Sequence, residues 1–272
     1  MRRGPRGGPG DLQVRLARAE QLLADADVGA AEGPLAVLVS VLRHQLGRLG
    51  EVEPAPVRAG DGVPPLLDLD RAAPIIVGEL ELAIPALEQA VPTPLAEAGR
   101  QASSAVVETW LDDVALVDPR LGFWIQLAAA PVLELGAREV SLPKDWTGAA
   151  CPCCGGGPQA SAIAEESGEF MAGSPRSLVC GRCATWWSYP RVTCATCGEE
   201  DPRLVEGYLT QDRRWVRVDT CATCRSYIKT FDLRQPGAVH VIPLVDDIAT
   251  LTLDVWAQHH GYSRPTTSLA GV

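Results

Sequence analysis

The sequence predicts an α+β protein: a helical N-terminal domain, two tandem tetracysteine metal units, and a C-terminal helix. Three observations carry this reading. Apolar residues recur at helical spacing through the first half; all nine cysteines fall between positions 151 and 224; and eight of the nine form four C-x-x-C pairs. The divisions that follow are 1–10 as a disordered N-terminus, 11–145 as the helical domain, 146–191 and 192–243 as the two metal units, and 244–272 as the closing helix and tail. The 272 residues, 46% of them hydrophobic, match an ordinary folded soluble protein.

The first ten residues are rich in Arg, Gly and Pro and lack a following apolar run, so they do not read as a signal peptide. Leu12, Leu16, Ala19, Leu23 and Ala26 mark a first helix. Leu35, Leu38, Leu42, Leu46 and Leu49 mark a second, with Pro34 placed in its first turn. Residues 51–65, rich in Pro and Gly, are expected to form a loop. Further helices are predicted near 73–90, 95–117 and 121–135, the first of them kinked or split at Pro85. The longest apolar stretch, 122–135, carries Gln126, Pro131 and Glu134, which argues against a membrane span and places the chain in the cytoplasm. Beyond residue 151 the texture changes to short β-leaning runs, with strands expected at 216–218 and 239–242. A last helix is expected over 246–260, capped by Asp246 or Asp247, with Ile248, Leu251, Val255 and Trp256 on one face.

The four pairs are Cys151/Cys154, Cys180/Cys183, Cys194/Cys197 and Cys221/Cys224. A C-x-x-C turn sets two thiolates on one side of a tight loop, and two such knuckles complete a tetrahedral shell of four sulfurs. The first and third pairs are followed by glycine (Gly155, Gly198). The second and fourth each have an aromatic three residues on (Trp186, Tyr227). This alternation reads as a duplicated unit. It pairs Cys151, Cys154, Cys180 and Cys183 in one site and Cys194, Cys197, Cys221 and Cys224 in the other, with a cross-braced arrangement as the alternative. With no export signal, disulfides are disfavoured. A thioredoxin-like redox pair would need a single C-x-x-C beside a βαβ pattern.

Four thiolates suit zinc or iron and exclude magnesium or calcium. A shell closed by protein sulfur leaves no position for a reactive water, so hydrolysis at the metal is disfavoured and no catalytic residue is assigned. Cys153, the ninth cysteine, is a tolerated small residue, a spare thiol or an alternative ligand. His44, His259 and His260 read as structural, and Asp112 and Asp113 as a solvated helix edge. Trp186, Trp187, Trp215 and Phe231 are expected to shield the metal sites.

With the knuckles placed, the runs CPCCGGGP (151–158), SLVCGRCATWW (177–187), RVTCATCG (191–198), DTCATCRSYIK (219–229) and PLVDDIATLTLDVWAQHHGY (243–262) resemble the formate dehydrogenase accessory protein FdhE family. The resemblance implies rubredoxin-like/zinc-ribbon metal units, iron as the metal, and a non-enzymatic cytoplasmic factor. Its implied partner is the catalytic subunit of formate dehydrogenase, late in maturation. Arg213, Arg214 and Trp215 are candidate contacts, since Arg and Trp are enriched at interface hot spots.

The alternatives are a zinc-ribbon nucleic-acid-binding protein and a rubredoxin-like electron-transfer protein. Charge weighs against nucleic acid: the chain is −10 overall, and residues 151–243 hold ten Lys/Arg against ten Asp/Glu before the thiolates are counted. Homo-oligomer formation is left open by the residues.

Overall fold

Leucine and alanine at helical spacing fold the first half of the chain into helices α1 (Leu12–Leu23), α2 (Glu32–Arg48), α3 (Leu69–Leu87), α4 (Thr93–Gly99), α5 (Ser104–Asp112) and α6 (Pro119–Ala137). The computed structural model describes residues 12–25, 29–60, 62–164 and 176–271; the expectation for 1–10 and the place of Ala26 lie outside them.

Two of the helical expectations need correction. Pro85 does not split α3, because it stands two residues before that helix ends and its missing N–H affects only the last turn. The single helix expected over 95–117 is instead α4, α5 and a 3-10 turn, Val114–Leu116. The break has a packing cause. Trp124 of α6 lies so close to Gly99 that a Cβ there would meet its ring at 2.8 Å, and the ring's Nε1 donates to the Leu95 carbonyl at 2.6 Å. The chain turns over this indole and restarts from an extended Ser103.

Helix α6 is the centre of the first half. Asp118 caps it by accepting from the Arg120 N–H at 2.8 Å, Pro119 is its first residue, and it is buried nearly all round. Pro131 lies inside it and cannot donate to the Leu127 carbonyl one turn back. The buried Gln45 side chain of α2 does so instead, at 2.8 Å. Gln45→Leu would leave that carbonyl buried and unpaired, and urea denaturation should show a loss of about 1–3 kcal/mol. An unchanged midpoint would show that the carbonyl finds another donor.

The second half is one six-stranded sheet built from two three-stranded meanders. These are β1 (Pro158–Ile163), β2 (Arg176–Cys180) and β3 (Trp186–Tyr189), then β4 (Val205–Leu209), β5 (Val216–Cys221) and β6 (Tyr227–Asp232). Within each meander the pairing is antiparallel. The two are joined by β1 running parallel to β6, with Ala160 opposite Lys229 and Ile163 opposite Asp232, which gives the order β3-β2-β1-β6-β5-β4. The joining strands are buried almost throughout, whereas β4 forms an exposed edge.

The expected strand at 216–218 is part of β5, but 239–242 forms none. Pro236 opens a 3-10 turn before it and Pro243 opens a helix after it, leaving Ile242 as that helix's N-cap. The single closing helix is in fact two, α7 (Pro243–Ala249) and α8 (Leu251–His259), separated at Thr250. Neither aspartate occupies the N-cap; Asp246 and Asp247 are buried inside α7. Val255 is 58% exposed, and the buried face of α8 carries Leu253, Asp254 and Ala257.

Three apolar clusters hold these parts together. Helices α3, α5 and α6 share one with the first five cysteines, Cys151 to Cys183, and Trp187. The helices α1 and α2 pack against Ile242, Val245 and Ile248 at the start of α7. The sheet packs Val216, Val218, Tyr227 and Phe231 with Leu253 and Ala257 of α8.

Candidate metal centres

Each C-x-x-C pair closes the same backbone turn. The N–H of the first cysteine donates to the carbonyl five residues on: Cys151 to Gly156 at 2.8 Å, Cys180 to Thr185 at 2.9 Å, Cys194 to Glu199 at 2.8 Å and Cys221 to Ser226 at 2.9 Å. The residue after the second cysteine then takes a left-handed backbone, with φ of +73° at Gly155, 53° at Ala184, +77° at Gly198 and 57° at Arg225. This explains the glycine after the first and third knuckles, since glycine adopts that region without a Cβ clash. At the fourth, Arg225 is held there by donating to the His260 carbonyl at 2.8 Å, with its guanidinium 4.3 Å from the Tyr262 ring centre. Backbone N–H groups also point at sulfur: Arg182 N–H lies 3.3 Å from Cys180 Sγ and Thr196 N–H 3.4 Å from Cys194 Sγ.

The knuckles meet in sequence order, not cross-braced. Cys151, Cys154, Cys180 and Cys183 form one group and Cys194, Cys197, Cys221 and Cys224 the other, each with all four sulfurs within 4.8 Å of one another. The Sγ–Sγ distances are 3.6 Å (Cys151–Cys183), 3.5 Å (Cys154–Cys180), 3.8 Å (Cys194–Cys224) and 3.7 Å (Cys197–Cys221). A tetrahedron with metal–sulfur bonds of about 2.3 Å has edges of about 3.8 Å, so both groups have the size a zinc or iron ion needs. All nine cysteines are free thiols.

Burial would raise the Cys183 thiol, but hydrogen bonds from Cys151 and Cys153 outweigh it and bring it to about 6. In the second group, burial is likewise outweighed at Cys194, by the backbone N–H groups of Cys197 and Thr196, bringing it to about 7. One cysteine in each group is thus held toward the thiolate, the nucleophilic and metal-binding form, while burial pushes the thiols of Cys151, Cys197 and Cys221 up.

Cys153 stands outside both groups. It is buried, and its hydrogen bond to Cys183 together with burial pushes its thiol well up, which makes it a neutral donor to a neighbouring sulfur.

A feature the cysteine pattern alone misses is the hydroxyl two residues past the last cysteine of each group. Thr185 Oγ1 is 3.0 Å from Cys183 Sγ, and Ser226 Oγ is 2.9 Å from Cys224 Sγ. The signal was present as Cys-x-Thr and Cys-x-Ser at matching places in the repeat.

The aromatic expectations divide. Trp187 packs in the first cysteine cluster and donates to the Gly148 carbonyl at 3.0 Å. Trp186, Trp215 and Phe231 instead pack in the cluster between the sheet and α8, with Trp215 stacked on Phe231 at 6.2 Å. Arg213 is half-buried and donates to the Ala249 carbonyl at 3.2 Å; Arg214 is exposed. His44 is half-buried, and burial lowers its pKa; His260 lies against Trp256, its Nδ1 2.7 Å from that residue's carbonyl oxygen. Asp112 and Asp113 are exposed, the latter capping the 3-10 turn.

Comparison with known proteins agrees with the knuckle runs. The family described as "FdhE, C-terminal domain" matches residues 192–270. A protein FdhE homolog of Aquifex aeolicus is 30% identical over 168 residues, 61% of this chain and 57% of that protein. The resemblance to the FdhE family is thereby shown. A second FdhE homolog, of Pseudomonas aeruginosa, is 33% identical over 160 residues, 57% of this chain and 50% of that protein. In these alignments the chain spans about half the length of the curated relatives it matches. The crystal structure of the FdhE protein from Pseudomonas aeruginosa shares the fold, with a TM-score of 0.73 at 19% identity over 96% of each chain. The arrangement of helices before and after one sheet is thus shared with that FdhE protein, and in this chain the sheet carries the two tetracysteine groups. Among the described residues no helix is long and apolar enough to cross a membrane.

Proposed function

We propose that this chain is a non-enzymatic accessory factor for formate dehydrogenase, in which two tetrathiolate metal ions fix a platform that binds the catalytic subunit in the cytoplasm. The observation that carries this reading is the pair of tetracysteine groups, each of tetrahedral size, set in an FdhE-like fold. Cys151, Cys154, Cys180 and Cys183 would hold one ion and Cys194, Cys197, Cys221 and Cys224 the other. An iron or zinc ion bound so supplies structural cross-linking, and iron adds a one-electron couple. Four protein sulfurs leave no position for an activated water, so the chain's contribution is shape.

The surface supports a protein partner over nucleic acid. With ten basic and ten acidic side chains over 151–243, the thiolate shells leave the metal region negative. Of the three candidate contacts, Arg214 offers the freest side chain. Deleting the gene should abolish formate dehydrogenase activity while its subunits are still synthesised, and the purified chain should retain the catalytic subunit in a pull-down. Normal formate oxidation in the deletion strain, with no capture, would refute the proposal.

A further inference from the structure

The two tetracysteine groups share one turn geometry and differ in what covers them. Cys151, Cys154, Cys180 and Cys183 are each no more than 1% exposed and lie inside the apolar cluster of α3, α5 and α6. Their knuckles are clasped from the helical side. The Leu66 N–H donates to the Pro152 carbonyl at 3.1 Å and the Leu67 N–H to the Cys153 carbonyl at 2.9 Å. Arg182 donates to the Trp110 and Leu111 carbonyls at 2.8 and 3.1 Å, its guanidinium 4.2 Å from the Trp110 ring centre. The Gln126 amide donates to the Gly181 carbonyl at 3.1 Å.

The second group has no such cover. Cys194 and Cys221 are buried, but Cys224 is half-buried and Cys197 is exposed, as are Thr196, Gly198, Ala222 and Thr223 around them. Neighbouring parts of the fold hold only the knuckle bases, through Tyr189 donating to the Cys194 carbonyl at 3.0 Å, Arg176 to the Thr193 carbonyl at 2.8 Å and Arg225 to the His260 carbonyl at 2.8 Å, while the tips are braced by short-range contacts. Thr223 Oγ1 donates to Glu199 at 2.7 Å, and the Ala222 N–H donates to the Leu204 carbonyl at 2.8 Å.

Resting on the reading that both groups hold metal, we propose that the centres divide their work. The first is locked into the fold, and the second is an exchange site, where a chelating ligand or a thiol-bearing metal carrier removes or delivers the ion. In the exchange, donor atoms of the incoming ligand bond to the metal in turn as the bond to Cys197 Sγ and then those to Cys224, Cys194 and Cys221 break, and each freed thiolate takes a proton from water, leaving hydroxide in solution. No electron moves. The same attack on the first centre requires the loop around Leu66 or the ends of α5 and α6 to lift away, a local unfolding event.

The test is zinc release to 4-(2-pyridylazo)resorcinol, followed by absorbance, from full-length protein whose zinc content has first been measured. Two equivalents at the start are expected. One should leave at least about 100-fold faster than the other, because only the slow one waits for the interface to open. Cys221→Ser should remove the fast phase and keep the slow one. Should that variant fail to fold, limited iodoacetamide treatment of the wild-type protein with mass mapping gives the same answer, with Cys197 and Cys224 modified before any cysteine of the first group. Two equivalents leaving at one rate, or the first group modified first, would overturn the division of work alone. Fewer than two equivalents in protein reconstituted with zinc would instead overturn the metal reading beneath it.

Discussion

Lys229→Met should lower the stability of the whole chain by about 3–5 kcal/mol, the range found when one partner of a buried ion pair is removed. Lys229 sits on the joining strand β6 with no exposed surface. Its Nζ lies 2.8 Å from Asp247 Oδ1 and 2.5 Å from Asp254 Oδ2, and donates to the Asp247 carbonyl at 2.6 Å and to Thr250 Oγ1 at 3.2 Å. Arg264 of the C-terminal tail completes the cluster, 2.8 Å from Asp247 and 3.0 Å from Asp254. Gln159 of β1 donates to Asp247 at 2.9 Å and Tyr227 to Asp254 at 2.8 Å. Two buried cations thus balance two buried carboxylates across β1, β6, α7, α8 and the tail. Among the described residues no buried side-chain polar atom lacks a partner.

Methionine at 229 would leave the carboxylates facing one guanidinium. Burial and the neighbouring Asp247 charge already raise the Asp254 pKa, whereas at Asp247 burial is outweighed by Arg264 and Lys229, which hold its pKa down. Losing the lysine raises Asp254 further. A carboxyl whose folded pKa is raised binds its proton more tightly in the native state, so it favours folding at low pH and ceases to as pH rises through the folded pKa. The variant's deficit in urea midpoint should therefore be largest at neutral pH and narrow on acidification. A deficit below about 1 kcal/mol at neutral pH, the scale of a single ordinary hydrogen bond, would show that the cluster does not hold these elements together.

The same cluster shows where the sequence was readable and where it was not. The cysteine grouping was legible because a tetrahedral shell needs two knuckles and the flanking glycines and aromatics marked the repeat. The helices were legible wherever leucine and alanine ran at helical spacing, as in α1 and α2. The segment over 95–117 was not, because its break depends on Trp124 arriving from α6 against Gly99. Local pattern equally favoured capping by Asp246 or Asp247, since an aspartate before an apolar helical run is a good cap.

The structure uses both aspartates as tertiary anchors. Asp246 reaches toward the helical half, accepting from Arg18 at 2.5 and 3.1 Å, while Asp247 reaches into the sheet cluster. Partners 228 and 18 positions away leave no trace in short-range spacing. Arg15 and Glu134, a buried pair between α1 and α6, were invisible for the same reason.

Removing a cysteine should have unequal consequences in the two groups. Cys180→Ser should cost about one metal equivalent and also disturb the helical half, whereas Cys221→Ser should cost the same metal and leave the helices as they were. A metal-stabilised turn has little apolar core of its own, so its folding energy comes largely from the ion. In the first unit that turn is part of a larger core: Cys180 packs with Leu178, Trp187 and the helices α3, α5 and α6, and the adjoining Gly181 and Arg182 receive and make the hydrogen bonds to α6 and α5. Loosening it withdraws support from Trp110 and opens Gln126 to water. In the second unit the knuckle tips at Cys197 and Thr223 face solvent, and the neighbouring β5 and β6 remain packed through Val216, Val218 and Phe231. Metal analysis with amide hydrogen exchange on the two variants reads both effects. Faster exchange across α5 and α6 in Cys180→Ser, with no change there in Cys221→Ser, is the expected pattern. Equal protection of α5 and α6 in both variants would show that the first centre does not brace the helical half.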